Sequence, residues 1–331
     1  MKKITAFCLA VILSLSLCGC SKALQQSEGI TFVDQGGRKV TLEKPAEKVA
    51  SGYYIATTTI IGLGGEDMLT GVEMKAETRP IYKAAAPQLL DLPALGNKKM
   101  FHVEECAKAD PDVVFLPVSL KEYAAQLEEL GIVTVLLNPE TQEQYDEAVQ
   151  IIAKVCGKEQ AAQDYFAYRK ELYDTYLNFE ADDSKQVYMA GLDLLQAAGK
   201  DMYQAEVIHD AKGSNAYAQE GNRGWQSINV ETLLSLNPAY ILLENGGMTS
   251  EEVYADASLQ ELKAVKNKQV YVFPSTLETW DTPNLSSCLG VLWTAAILYP
   301  QEVSMEAVEK EAKDFYKQFY DIDVTGEQLG F

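Results

Sequence analysis

The sequence predicts an α/β protein of two layered lobes, each built on a central, mostly parallel sheet and joined to the other by one long α-helix. Three observations carry this prediction. From Lys48 onward, short apolar strands alternate with helical stretches, as in a parallel α/β sheet. A composite segment recurs in both halves of the chain: Val103-Glu104, then Pro111-Asp112 and the strand Val113-Val114-Phe115-Leu116 match Val230-Glu231, then Pro238-Ala239 and the strand Tyr240-Ile241-Leu242-Leu243. Between the halves lies Glu159 to Phe179, a helical run without proline or glycine, which at about 1.5 Å per residue reaches roughly 30 Å, the width of a small lobe.

Taken in order, the chain opens with Lys2 and Lys3 before an apolar run, Ile4 to Leu17, too short to span a bilayer comfortably and suited to an export signal over residues 1–19. It ends in Leu17-Cys18-Gly19-Cys20, which resembles a bacterial lipobox. Cys20 is thereby expected to carry lipid and to become the mature N-terminus; a plain secretory signal is the alternative. Residues 20–29 are polar and aperiodic, as expected of a tether. Ile30 to Val33, a turn at Asp34 to Arg38 and Val40 to Leu42 predict a β-hairpin.

The N-terminal lobe is expected over residues 30–156. Within it, Gly62-x-Gly64-Gly65 lacks the third glycine of a nucleotide loop and precedes Glu66 and Asp67, so it reads as the end of a helix. Glu143 to Cys156 is an amphipathic helix, Gly157 interrupts it, and the joining helix occupies 157–181. A C-terminal lobe over 182–331 opens with the strand Gln186 to Ala190 and closes with an amphipathic helix, Met305 to Tyr320. Each repeat copy continues into a helix and a strand: Leu120 to Leu130 then Val133 to Leu137, and Leu259 to Val265 then Val270 to Phe273. The copies are offset by 127 residues, too far for a solenoid and consistent with a duplicated lobe.

Composition narrows the function classes. The formal charge is −20, or −22 once Lys2 and Lys3 are removed, which argues against nucleic acid and against direct adhesion to anionic lipid. With Cys8 and Cys18 in the signal and Cys20 assigned to lipid, Cys106, Cys156 and Cys288 remain, without C-x-x-C spacing. Buried free thiols are expected, one disulfide being the alternative. Only His102 and His209 are present, too few imidazoles for an ordinary zinc or manganese site. There is no G-x-S-x-G or H-E-x-x-H motif, so an exported hydrolase is disfavoured.

The Glu…Pro-Asp-apolar element, the Asp34 hairpin, Leu63-Gly64, Gly71-Val72, Ala264-Val265-Lys266-Asn267 and Val270-Tyr271 together resemble the iron-siderophore, haem and vitamin B12 periplasmic-binding family. The resemblance runs from Ile30 to Pro300. Trp280-Asp281, Leu289-Gly290, Trp293 and Tyr299-Pro300 are similar to a subgroup of iron-complex importers. The resemblance implies a ligand cleft between the lobes and no enzymatic chemistry. It also implies a monomer, lipid-anchored outside the cytoplasm, that delivers its ligand to an ABC permease dimer with a cytoplasmic ATPase. The implied ligand is a metal chelate, an iron-siderophore first, with haem or a cobamide as alternatives and no resident cofactor.

In that family one exposed glutamate from each lobe meets arginines of the permease, which assigns docking to Glu104 and Glu231, with Glu105 as the neighbour one register away. A glutamate in a helix's first turn is also favoured by the macrodipole alone. For the ligand, loops after the strands point to Tyr53, Tyr54, Arg79, Tyr82, Tyr203, Arg223, Trp225 and Trp280. Their rings can lie on a flat macrocycle or catecholate and their guanidinium groups can pair with acidic substituents, although core packing is the commoner use of such aromatics. Met100 and His209 are a chemically sensible axial pair for haem iron; surface placement is the alternative.

Overall fold

The structure is a computed structural model that describes residues 29–182, 184–218 and 223–331. The expected signal, Cys20 and nearly all of the tether lie outside the described residues.

The chain starts with the hairpin β1 (Ile30–Val33) and β2 (Lys39–Leu42), in which Ile30 faces Leu42. The N-terminal lobe follows through β3 (Val49–Ser51), α1 (Tyr54–Gly62), β4 (Leu69–Gly71), α2 (Pro80–Ala85), the ribbon β5 (Gly96–Asn97) and β6 (Met100–Phe101), α3 (Val103–Ala109), β7 (Val113–Pro117), α4 (Ala124–Glu129), β8 (Val133–Leu137) and α5 (Gln142–Cys156). Its sheet runs β4-β3-β7-β8, all parallel. β8 is an edge strand, and the hairpin turn covers it. The buried Asp34 carboxylate accepts from the Leu136 N–H at 3.1 Å, the Gln35 N–H donates to the Leu136 carbonyl at 3.0 Å, and Asn138 N–H donates to the Gln35 side chain at 2.7 Å. Backbone groups that would otherwise offer a pairing edge are thereby satisfied.

The joining helix α6 (Glu159–Tyr176) is 18 residues long, about 27 Å, and ends three residues before the expected Phe179. Arg169 on α6 grips Asp146 on α5 with two bonds, at 2.6 and 2.5 Å. The C-terminal lobe continues through β9 (Gln186–Ala190), β10 (Gln196–Ala198), α7 (Tyr203–Asp210), β11 (Ser214–Asn215), β12 (Trp225–Ser227), α8 (Val230–Leu236), β13 (Tyr240–Leu243), α9 (Ser250–Ala255), α10 (Lys263–Lys266), β14 (Val270–Val272), α11 (Ser287–Leu298), α12 (Met305–Tyr320) and α13 (Gly326–Leu329). Its sheet runs β12-β10-β9-β13-β14, with β11 also beside β9; β9, β11, β13 and β14 are parallel and β10 is antiparallel to its neighbours.

Two expected helices are shorter than their sequence pattern, and the C-terminal helices pack in ways that periodicity does not show. The helix expected over Leu120 to Leu130 is a 3₁₀ segment, Val118–Tyr123, leading into α4, and the one expected over Leu259 to Val265 is reduced to a 3₁₀ turn at Ala257–Leu259 and the short α10. α11 is buried at every position, so it shows no amphipathic period to read. α12 also reaches beyond the second lobe. It packs on α1 and α11, and α11 on α6, so one apolar core runs from the first sheet through α1 to the C-terminal helices. The outer faces of the two sheets keep separate clusters. Cys106, Cys156 and Cys288 are buried and free, and burial pushes their thiols up to about 12.

Candidate functional site

The two glutamates of the repeat occupy matching places. Glu104 and Glu231 are each the second residue of a seven-residue helix, α3 or α8. Each helix ends on a left-handed residue, Asp110 (φ 51°) or Asn237 (φ 43°), and then a proline leads into β7 or β13. Both glutamates are exposed, and among the described residues neither forms an ion pair. Glu105 is half-buried and pairs with Lys108 at 2.6 Å, so Glu104 is the uncommitted carboxylate of α3.

The C-terminal ends of the first sheet's strands gather a polar and aromatic group. After β3 the chain turns at Gly52, where a Cβ would press on Leu116 and Phe101 at 2.8 and 2.9 Å. The Tyr53 side chain does not cap α1: the Ser51 hydroxyl accepts from the N–H of Tyr53 itself at 3.3 Å, and the first turn carries no acidic residue. That leaves a bare positive helix end. Beside it, the Arg79 guanidinium lies 4.1 Å from the Tyr54 ring centroid. Among the described residues Arg79 has no ion pair, and its buried Nε has no hydrogen-bond partner. Beneath the pair, Tyr82 stands 6.1 Å from Tyr54 and donates to Glu73 at 2.7 Å; Thr57 donates to the other Glu73 oxygen, also at 2.7 Å. Burial raises the Glu73 carboxyl above its ordinary range, opposed by these bonds and by nearby Arg79.

The second lobe meets the first through Gln142 at the start of α5. The Tyr203 hydroxyl donates to the Gln142 side chain at 2.9 Å and lies 2.5 Å from the Ser287 hydroxyl, while Gln142 N–H donates to Glu206 at 2.5 Å. Burial raises the Glu206 carboxyl. Ile81 N–H, on α2, donates to the Leu277 carbonyl at 3.2 Å. The two lobes are therefore tied at Gln142 and at Ile81.

The expected ligand residues divide. Tyr53, Tyr54, Arg79 and Trp225 are half-buried at the strand ends. Arg223 is exposed, 3.8 Å from Asp201, which also accepts from Gly224 N–H at 2.8 Å. Tyr82, Tyr203 and Trp280 correct the expectation of direct contact: all three are buried, and their polar atoms bond to Glu73, to Gln142 and Ser287, and to the Tyr316 hydroxyl respectively. Met100 and His209 are both exposed, on different elements, Met100 on β6 and His209 beside Asp210 on a hollow shared with Tyr173 and Asp174; the geometry does not join them into an axial pair. Among the described residues no group of three or more His, Cys, Asp or Glu side chains could hold a metal ion.

Sequence reasoning passed over Glu73, Gln142 and Glu278, and used Asp281 only as part of a resemblance. Glu278 and Asp281 are buried, and their carboxylate oxygens have no hydrogen-bond partner among the described residues. Burial pushes both up to about 7, Asp281 also through Glu244, while hydroxyls near Glu278 hold it down in part. The signal was available: two carboxylates flank Trp280 in a segment otherwise poor in charge.

Comparison with known proteins places this geometry. The sequence pattern of the periplasmic binding protein family matches residues 49–277. The molybdate-binding protein MolA of Haemophilus influenzae is 25% identical over 318 residues, covering 87% of this chain and 90% of the relative. Its molybdate-bound structure superposes with a TM-score of 0.76 at 24% identity, covering 89% of this chain and 99% of that one. A periplasmic solute binding protein of Veillonella parvula gives 0.78 at 23% identity, with 91% and 95% covered. The nickel-histidine complex of CeuE from Helicobacter pylori gives 0.73 at 20% identity, with 89% and 97% covered.

Proposed function

This chain belongs to the periplasmic binding protein family, and from that premise we propose that it is the substrate-binding component of an ABC importer that captures a small anionic metal chelate, an iron-siderophore first. The observation that carries the ligand reading is Arg79: a guanidinium stacked on Tyr54, without a carboxylate partner among the described residues, next to the uncapped start of α1. Guanidinium and helix N–H groups both favour a negative ligand. Half-buried Tyr53 and Trp225 add flat apolar faces of the kind a catecholate or macrocycle covers. A second reading, a bare oxyanion, is favoured by the likeness to a molybdate-binding protein over 87% of the chain.

The remaining parts of the reading follow from position. Lobes at 30–156 and 182–331, joined through 157–181, would hold the ligand between them, and Glu104 and Glu231 would dock on the two halves of a permease. Cys20 would carry the lipid that keeps the protein at the membrane, and Cys20→Ala should abolish incorporation of labelled fatty acid into the protein. Among the described residues no helix is long and apolar enough to cross a membrane.

The test is a titration of purified protein with a ferric catecholate, haem, a cobamide and molybdate, followed by tryptophan fluorescence and calorimetry. The proposal expects binding of one anionic probe and its loss in Arg79→Gln. Binding that survives this change, or the absence of binding across all four probes, would overturn it.

A further inference from the structure

We propose that Glu73 is the positioning residue of the anion-binding group, clamping α1 to α2 so that Tyr54 and Arg79 keep the spacing a ligand needs. The inference rests on the proposed function, and its evidence is a closed ring of contacts. One Glu73 oxygen accepts from Tyr82 on α2 and the other from Thr57 on α1, both at 2.7 Å. Thr57 also reaches the Ser51 hydroxyl at the end of β3, at 2.8 Å. Tyr82 packs beside Tyr54, Tyr54 carries Arg79, and Arg79 is close enough to Glu73 to help hold its charge. Arg79 and Tyr82 lie three residues apart, at and just inside the start of α2, so whatever fixes Tyr82 fixes the base from which Arg79 extends.

A buried carboxylate is an expensive way to fill space, and apolar side chains of like size often serve a core better. Glu73 is 5% exposed in such a core. Its use is explained when two helices must be tied at a set distance by strong hydrogen bonds to a charged acceptor. It also supplies a negative charge near Arg79 without occupying the guanidinium's N–H groups, which stay available to a ligand. Supporting polar groups of this kind orient the residues that touch the ligand.

Glu73→Gln and Glu73→Leu separate geometry from charge. Glutamine can still accept from Tyr82, and its amide can donate to Thr57, whose own proton turns to Ser51; leucine can do neither. Two readouts are taken: the Arg79 Nε–H resonance in protein carrying isotope-labelled arginine, assigned with Arg79→Lys, and affinity for molybdate and a ferric catecholate. In wild type and Glu73→Gln the resonance should show the Tyr54 ring-current displacement, with anion affinity retained. In Glu73→Leu the displacement should be lost and affinity should fall about tenfold or more. Unchanged resonance or unchanged affinity in Glu73→Leu would overturn the inference, as would a glutamine variant that falls with the leucine one. If wild type binds neither probe, the proposed function fails on its own and the resonance alone judges Glu73. Should Glu73→Leu not fold, Tyr82→Phe deletes one of the two bonds, keeps the ring and is read in the same two ways.

Discussion

Replacing Glu278 by glutamine should make the protein more stable at pH 8 and leave it nearly unchanged at pH 4. The carboxyl is buried near Tyr54, Tyr145, Tyr316 and Tyr320, and burial lifts it from 4.5 to about 7, with Ser286 and Tyr320 hydroxyls offsetting part of the rise. In the unfolded chain the group loses its proton near its ordinary value, while the folded protein keeps it until about pH 7. The folded state therefore binds more protons between those limits, and stability falls as pH climbs through that window. At about 1.4 kcal/mol for each pH unit of separation, the loss reaches roughly 3 kcal/mol above pH 7 as a ceiling. Glutamine has the same shape and no proton to lose. Guanidinium unfolding of both proteins at pH 4, 6 and 8 measures the difference directly. A gap between variant and wild type that is the same at all three pH values, or a variant less stable at pH 8, would refute the reasoning. Asp281, also raised to about 7, acts in the same direction, so Asp281→Asn should widen the gap when combined with Glu278→Gln.

Other outcomes follow from the same structure. Glu104→Ala with Glu231→Ala should leave the melting temperature within about 1 °C, since both are exposed and unpaired among the described residues, while uptake by whole cells falls; retained uptake would remove the docking assignment. Asp146→Asn strands Arg169, whose guanidinium otherwise lies between that carboxylate and the Tyr165 and Phe166 rings, and should cost about 2 kcal/mol in a urea titration. Gly290→Ala places a methyl 2.2 Å from the Trp280 carbonyl, against backbone that cannot turn aside; about 2 kcal/mol or more of stability should be lost, visible as a lower denaturant midpoint.

Much of the scaffold was legible in the residues, because periodic and locally determined features need no distant partner. β9, β13 and α12 fall where short apolar runs and an amphipathic stripe place them. The hairpin at Asp34 and the helix end at Gly64 (φ +68°) are set by turn chemistry within a few residues. The recurrence of Glu104 and Glu231 in matching helices is likewise a property of the sequence alone, made visible by duplication. Tertiary structure decided the rest. Whether an aromatic faces a ligand or the core depends on what packs over it: Tyr54 stays at the rim, while Tyr82, three residues after Arg79, is sealed beneath it by Glu73. α11 gave no period because neighbours enclose it on every side, and α12 crosses to α1 because both carry apolar faces that only the folded chain brings together. The perturbed carboxyls belong here too. Glu278 and Asp281 are ordinary acids in sequence, and only the removal of water around them, a consequence of long-range packing, moves their protons toward neutrality.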